Sequence, residues 1–256
     1  MDKDATFSNK LQALTALLIK TPKTKTASIE KWVASLSDSE KAQVAKKLSV
    51  SRPGAILIQN LVKKKVIPTS SIDYNSAIIM QKQIGKRNKP LPIYLAAQKE
   101  EKQRKTDLKK KTDSYIKKVA KLKGNPDMGQ AVFGSCMACH SVGGQGQDIA
   151  PPLDGGKDRD VAHLITAIMN PDEAVEAVYG LHYAVRKDGK YIEGYLKKSD
   201  DAGITIAVMG GGSHFIPRHL LLHEGGIDGR SFMPASYGSF SEQTIADLAT
   251  YIKTIK

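Results

Sequence analysis

The sequence predicts a mainly α-helical protein with a small antiparallel β insert in its second half, and three observations carry that prediction. Apolar residues recur every three to four positions through residues 1–92, the period of helices with one buried face. Residues 93–123 contain neither Gly nor Pro and are dense in Lys and Arg, the pattern of a long, largely exposed helix. Around Asp188-Gly189, apolar and polar side chains alternate, which marks a hairpin. At 256 residues the chain exceeds the usual size of one domain, so separate modules are expected.

In the first module, Phe7, Leu11, Leu14, Leu17 and Leu18 form one apolar stripe. Ser37-Asp38-Ser39-Glu40 is a capping box that opens a helix with Val44, Ala45 and Leu48 inside. Pro53 suits the first turn of the next helix, which carries Ile56, Leu57, Leu61 and Val62. After Pro68 comes another apolar segment with Ile72, Ile78, Ile79 and Ile84, and Trp32 reads as core. Short helices at this cadence suggest an α-helical stack in the manner of HEAT repeats, although no clean repeat period is present. Residues 93–123 then read as a basic linker helix, leaving 124–256 as the second module.

That module is organised around Cys136-Met137-Ala138-Cys139-His140. Two thiols on one helical turn followed by an imidazole form the attachment signature of a c-type haem. Each thiol can add to one porphyrin vinyl group, and His140 can ligate the iron through Nε2. These are the only two cysteines in the chain. A redox-active thiol pair needs no trailing histidine, structural zinc needs a second ligand pair, and a disulfide is awkward within one helical turn.

Asn125-Pro126-Asp127 starts the helix that leads into the motif. Gly143, Gly144 and Gly146 then give a loop that lets backbone approach the porphyrin edge. Val161 to Met169 reads as a helix ending at Asn170-Pro171-Asp172. A β insert is expected at about 180–228, with Ile204, Ile206 and Val208 on a third strand closed by Gly210-Gly211-Gly212, and further strand over His214–Leu222. Ser241-Glu242-Gln243 opens a last helix whose Ile245, Leu248, Ile252 and Ile255 share a face. Val132, Phe133, Leu153, Leu164, Phe232 and Leu248 are candidates to line a haem pocket. Arg230 and Tyr237 are candidates for its propionates on neighbourhood alone.

The Ala150-Pro151-Pro152-Leu153 segment resembles the one that follows the attachment site in mitochondrial-type cytochromes c. The resemblance implies that the Pro151 carbonyl accepts a hydrogen bond from His140 Nδ1. It implies that the first and last helices of the module cross, Gly129 and Phe133 meeting Leu248 and Tyr251. It also implies that Met233, in Ser231-Phe232-Met233-Pro234, is the sixth iron ligand. His214, His219 and His223 remain other donors, and a core methionine is the blander reading. Together with Asn170-Pro171-Asp172 and the Lys187-Asp188-Gly189 hairpin, these motifs resemble the haem-binding domain named for Planctomycetes and Verrucomicrobia. That resemblance covers roughly 124–256, and such domains often follow a dehydrogenase module and a helical-repeat region. It implies a non-enzymatic electron carrier with one covalent haem c, a sugar or alcohol dehydrogenase as donor and a downstream redox protein as acceptor. A haem-based sensor with a displaceable sixth ligand is the alternative. A peroxidase would need a distal base, and no residue can be assigned that role.

Charge divides the chain as sharply as pattern does. The net charge is +13, yet residues 124–256 hold 11 basic and 16 acidic side chains while residues 1–123 hold 28 and 10. No named nucleic-acid motif accompanies the basic half, so an acidic protein partner or an anionic membrane surface is the better expectation. No apolar run reaches membrane-span length, and Met1-Asp2-Lys3-Asp4 is unlike a secretory signal. Haem c is attached outside the cytoplasmic membrane, so a trimmed fragment of a periplasmic or cell-surface bacterial protein is expected.

Overall fold

Helices dominate because the apolar spacing of most segments is helical and their ends are capped. The computed structural model describes residues 3–21, 27–86, 88–147, 149–210 and 212–256, and nine α-helices lie among them. They are α1 (Lys3–Lys20), α2 (Ala27–Ala34), α3 (Asp38–Leu48), α4 (Arg52–Lys63), α5 (Tyr74–Ile84), α6 (Pro92–Val119), α7 (Pro126–Phe133), α8 (Val161–Met169) and α9 (Glu242–Ile252). The strands are β1 (Ser141–Val142), β2 (Gln145–Gly146), β3 (Gly180–Arg186), β4 (Tyr191–Ser199), β5 (Gly203–Ala207), β6 (Ser213–Pro217) and β7 (Leu221–Ser231). Among the described residues no helix is long and apolar enough to cross a membrane.

Two compact units result. One comprises residues 1–104, 184–191 and 219–224, the other residues 105–183, 192–218 and 225–256. The long helix α6 contributes to both, and the tip of the β insert is grouped with the first.

The first unit buries Leu11, Leu14 and Leu18 of α1 with Val44, Ala45 and Leu48 of α3 and Leu57, Ile58 and Leu61 of α4. Leu17, expected on the same stripe, is 45% exposed, because it falls past the edge of the arc that Leu11, Leu14 and Leu18 define. Trp32 is half-buried against this core, its ring 6.0 Å from Phe7. At the insert's tip Gly189, with φ 84°, is seated so close to α1 that a Cβ there would lie 3.0 Å from the Ala16 nitrogen. His223 Nε2 donates to the Val50 carbonyl.

The capping box of α3 is complete. Ser37 Oγ accepts from Glu40 N at 3.3 Å, and the Glu40 carboxylate accepts from Ser37 N at 2.8 Å. Replacing Ser37 by alanine is expected to cost about 1 kcal/mol, read as a lower urea midpoint for the first unit at unchanged slope.

In the second unit, α6 is largely exposed, as its composition predicts, but one stripe of it is anchored. Thr112 and Val119 are buried, Tyr115 Oη donates to the Phe240 carbonyl, and Lys118 pairs with Glu242 at 2.8 Å. The insert is a five-stranded sheet in the order β6-β5-β4-β3-β7, with β5 antiparallel to β4 and β6. Its last strand runs to Ser231, beyond the expected end at 228, so the sheet delivers the chain directly to Phe232 and Met233. Gly210 has φ 96°, while Gly211 lies outside the described residues. The core joins Phe133, Leu164, Ile165, Met169, Ile245, Leu248 and Ile252.

The crossing of α7 and α9 positions the site. A Cβ on Gly129 would lie 2.1 Å from the Asp247 carbonyl oxygen and 2.7 Å from Tyr251 Cβ, so only glycine allows this approach. The Phe133 and Tyr251 rings sit 5.0 Å apart and tilted. Asp247, buried on α9, accepts from the Asn125 backbone N–H at 2.8 Å and from Gln243 Nε2 at 2.7 Å.

Candidate functional site

The chain leaves α7 through Gly134 and enters a 3-10 turn over Cys136–Ala138. The Cys136 carbonyl accepts from both Cys139 N (3.0 Å) and His140 N (2.8 Å), so both thiols and the imidazole belong to one tight turn. The following segment folds back along it. Gln147 N donates to the Met137 carbonyl at 3.2 Å, Ile149 N to Cys139 at 3.2 Å, and Leu153 N to Ser141 at 2.9 Å. Gly146 makes this possible: its φ is 99°, and a Cβ there would meet the His140 carbonyl at 2.3 Å. That close approach is to the motif's own backbone, whereas Gly143 and Gly144 serve the β1–β2 turn with φ of 56° and 76°.

His140 is half-buried and its Nδ1 donates to the Pro151 carbonyl at 2.7 Å. With Nδ1 carrying the proton, Nε2 keeps its lone pair. Burial pushes the imidazole below its ordinary value; the Pro151 carbonyl draws it back up and Arg159 lowers it further. The neutral form that binds metal is thereby favoured. Burial pushes both thiols up. For Cys136 the Ser135 hydrogen bond opposes this and Cys139 adds to it. Protonated thiols at this turn are the opposite of an activated redox pair. Among the described residues no cluster of three or more His, Cys, Asp or Glu side chains is placed to hold a metal ion, so zinc lacks a ligand set here.

A cavity of about 340 Å³ opens over the motif. Cys136, Cys139, His140, Pro151, Met233 and Tyr237 all line it. Apolar walls come from Leu153, Leu164, Phe232 and Leu248. Phe232 also packs with Ile149, Ala207 and Cys139, so the insert contributes to the same wall. The structure brings these residues to one cavity, but not all of the neighbours expected with them. Val132 and Phe133 do not line the cavity, and Phe133 packs on Tyr251 in the core behind it. Arg230 is absent from the lining as well, because its Nη1 pairs with Asp172 at 2.7 Å. His214 lies exposed on β6, His219 and His223 belong to the first unit, and none of the three lines the cavity.

Arg159, His163 and Met209 are among the lining residues that the pattern of the sequence does not announce. Arg159 reaches the cavity with its Nη2 bonded to the Pro152 carbonyl at 3.0 Å, and it is the arginine placed to meet an anionic group there. Its signal was its place shortly after the Pro-Pro-Leu segment. His163 stands on the first turn of α8, capped by Asp160, and Met209 comes from the β5–β6 turn. Nothing in the local pattern of either residue points to the site.

The donor set fits an attached porphyrin: paired thiols on one turn, a neutral imidazole held by a carbonyl, a thioether, apolar walls and an arginine. No curated protein matches the chain. Residues 126–203 match the family model described as Cytochrome c, so the cofactor is covalently bound haem c with its iron, and the role it supports is electron transfer.

Proposed function

We propose that the second unit is a one-electron carrier in which Cys136 and Cys139 anchor haem c and His140 and Met233 ligate its iron. One observation carries the assignment: Cys136, Cys139, His140 with its imidazole bonded to Pro151, and Met233 all line a single cavity. Haem c, when bound, supplies an iron that alternates between ferrous and ferric states. Pro151 fixes the tautomer and orientation of His140, and Met233 supplies a soft donor that favours the ferrous form and raises the potential. Leu153, Leu164, Phe232 and Leu248 exclude water, and Arg159 and Tyr237 would meet the anionic propionates. The donor is a sugar or alcohol dehydrogenase and the acceptor a further redox protein. The resemblance of its motifs to the Planctomycetes/Verrucomicrobia-type haem-binding domain supports this pathway and a periplasmic or cell-surface location. The first unit, a HEAT-like stack, docks an acidic protein or an anionic membrane through its excess of lysine.

Met233→Ala tests the ligand. The variant is expected to keep its covalent haem, to lose entirely the weak far-red band that marks a thioether bound to ferric iron, and to show a lower reduction potential. An unchanged band excludes Met233. A parent protein that lacks the band and binds carbon monoxide readily when reduced would establish the sensor reading instead.

A further inference from the structure

We propose that Asp172 is a positioning residue for Met233, acting through Arg230 and Ser231. The inference rests on Met233 being the sixth ligand and names what holds it there. Asp172 belongs to the Asn170-Pro171-Asp172 turn after α8, a segment that sequence pattern marks only as a helix end. One carboxylate oxygen accepts from Arg230 Nη1 at 2.7 Å and the other accepts from the Ser231 backbone N–H at 2.9 Å. Ser231 Oγ in turn accepts from the Met233 backbone N–H at 3.1 Å. Two hydrogen bonds thus lead from the carboxylate to the backbone of the thioether residue. Phe232 N donates to the Tyr179 carbonyl at 3.4 Å between them.

The clasp is well shielded, since the Arg230 and Asp172 side chains are only 17% and 13% exposed. Charge-assisted bonds in such surroundings are screened little by solvent. The Asp172 side is itself fixed: Asn170 Nδ2 donates to Glu173 Oε2 at 2.7 Å, and Lys109 holds Glu173 at 3.2 Å. Pro171, Ala174 and Val175 from the same turn line the cavity. A methionine side chain has three rotatable bonds, and a thioether donates weakly. Competition between Met233 and an outside ligand is therefore decided by how firmly its backbone is held.

Imidazole binding to the ferric holoprotein of the full chain measures that competition. Asp172→Ala is expected to retain covalent haem, weaken the far-red band and bind imidazole about tenfold more tightly than the parent. Asp172→Asn keeps an acceptor for Ser231 N but loses the charge facing Arg230, so an intermediate tightening is expected, and this variant decides the matter if the alanine variant does not fold. Glu242→Gln breaks the exposed Lys118 pair, which belongs neither to the clasp nor to the cavity lining, and leaves imidazole affinity at the parent value. In a Met233→Ala background neither Asp172 substitution tightens imidazole further, because the competitor is gone. Unchanged affinity in both Asp172 variants overturns the proposal, as does equal tightening with and without Met233. Failure of the ligand assignment itself looks different: Met233→Ala then alters neither the far-red band nor imidazole affinity.

Discussion

Alanine at both Cys136 and Cys139 yields a mature protein whose pigment, if any, is removed completely by acidified organic solvent. The chain has two cysteines and both line the cavity, so no other sulfur can form a thioether link. Single substitutions leave one link and an intact His140, and are expected to give reduced but acid-stable haem content. The half-buried thiols lie in a short turn rather than in a helix of the core, so the double variant is expected to keep its helix content by circular dichroism. Intact mass after maturation in a haem-attaching host reads the result directly: one porphyrin on the parent, none on the double variant. A porphyrin mass surviving in the double variant would remove the basis for every role assigned to the cavity.

Gly129→Ala is expected to be strongly damaging to the second unit, because it overpacks the crossing of α7 and α9. The added carbon would sit 2.1 Å from a backbone oxygen of α9 and 2.7 Å from Tyr251 Cβ, and the first of these atoms belongs to no flexible side-chain end. Overpacking of this kind costs about 3 kcal/mol, the upper end of its usual range. For a unit of this size that lowers the midpoint by on the order of 10 °C in a thermal melt followed by haem absorbance. Met128→Ala, at the adjacent position but 58% exposed, sets the contrast, with an expected change within about 0.5 kcal/mol. Equal melting of the two variants would mean that α7 and α9 separate readily.

The parts of this fold that were legible in sequence are those encoded by neighbours in the chain. The turn of Cys136 to His140, the caps at Ser37, Asn125 and Ser241, and the Asp188-Gly189 hairpin each depend on a few adjacent residues. Crossing of α7 with α9 was legible only because the Gly129, Phe133, Leu248 and Tyr251 pattern is similar to that of mitochondrial-type cytochromes. What stayed hidden depends on tertiary placement. Phe133 and Leu153 are buried apolar residues of one core flanking the motif, and only the path of the backbone lets Leu153, and not Phe133, line the cavity as well. Arg230 and Arg159 carry the same charge, but a partner 58 residues away in sequence takes the first out of the site. The end of β7 was missed because Gly225 and Gly226 interrupt the alternation that announces a strand.

The bond from Asn125 to Asp247 spans 122 residues of sequence, and α9 also supplies Leu248 and Ile252 to the cavity. Contacts so distant along the chain form late. A nascent second unit on the ribosome therefore displays its two thiols in an unfinished pocket until the final helix has emerged. A chain truncated before α9 is expected to leave the pocket open rather than to give a slightly smaller carrier.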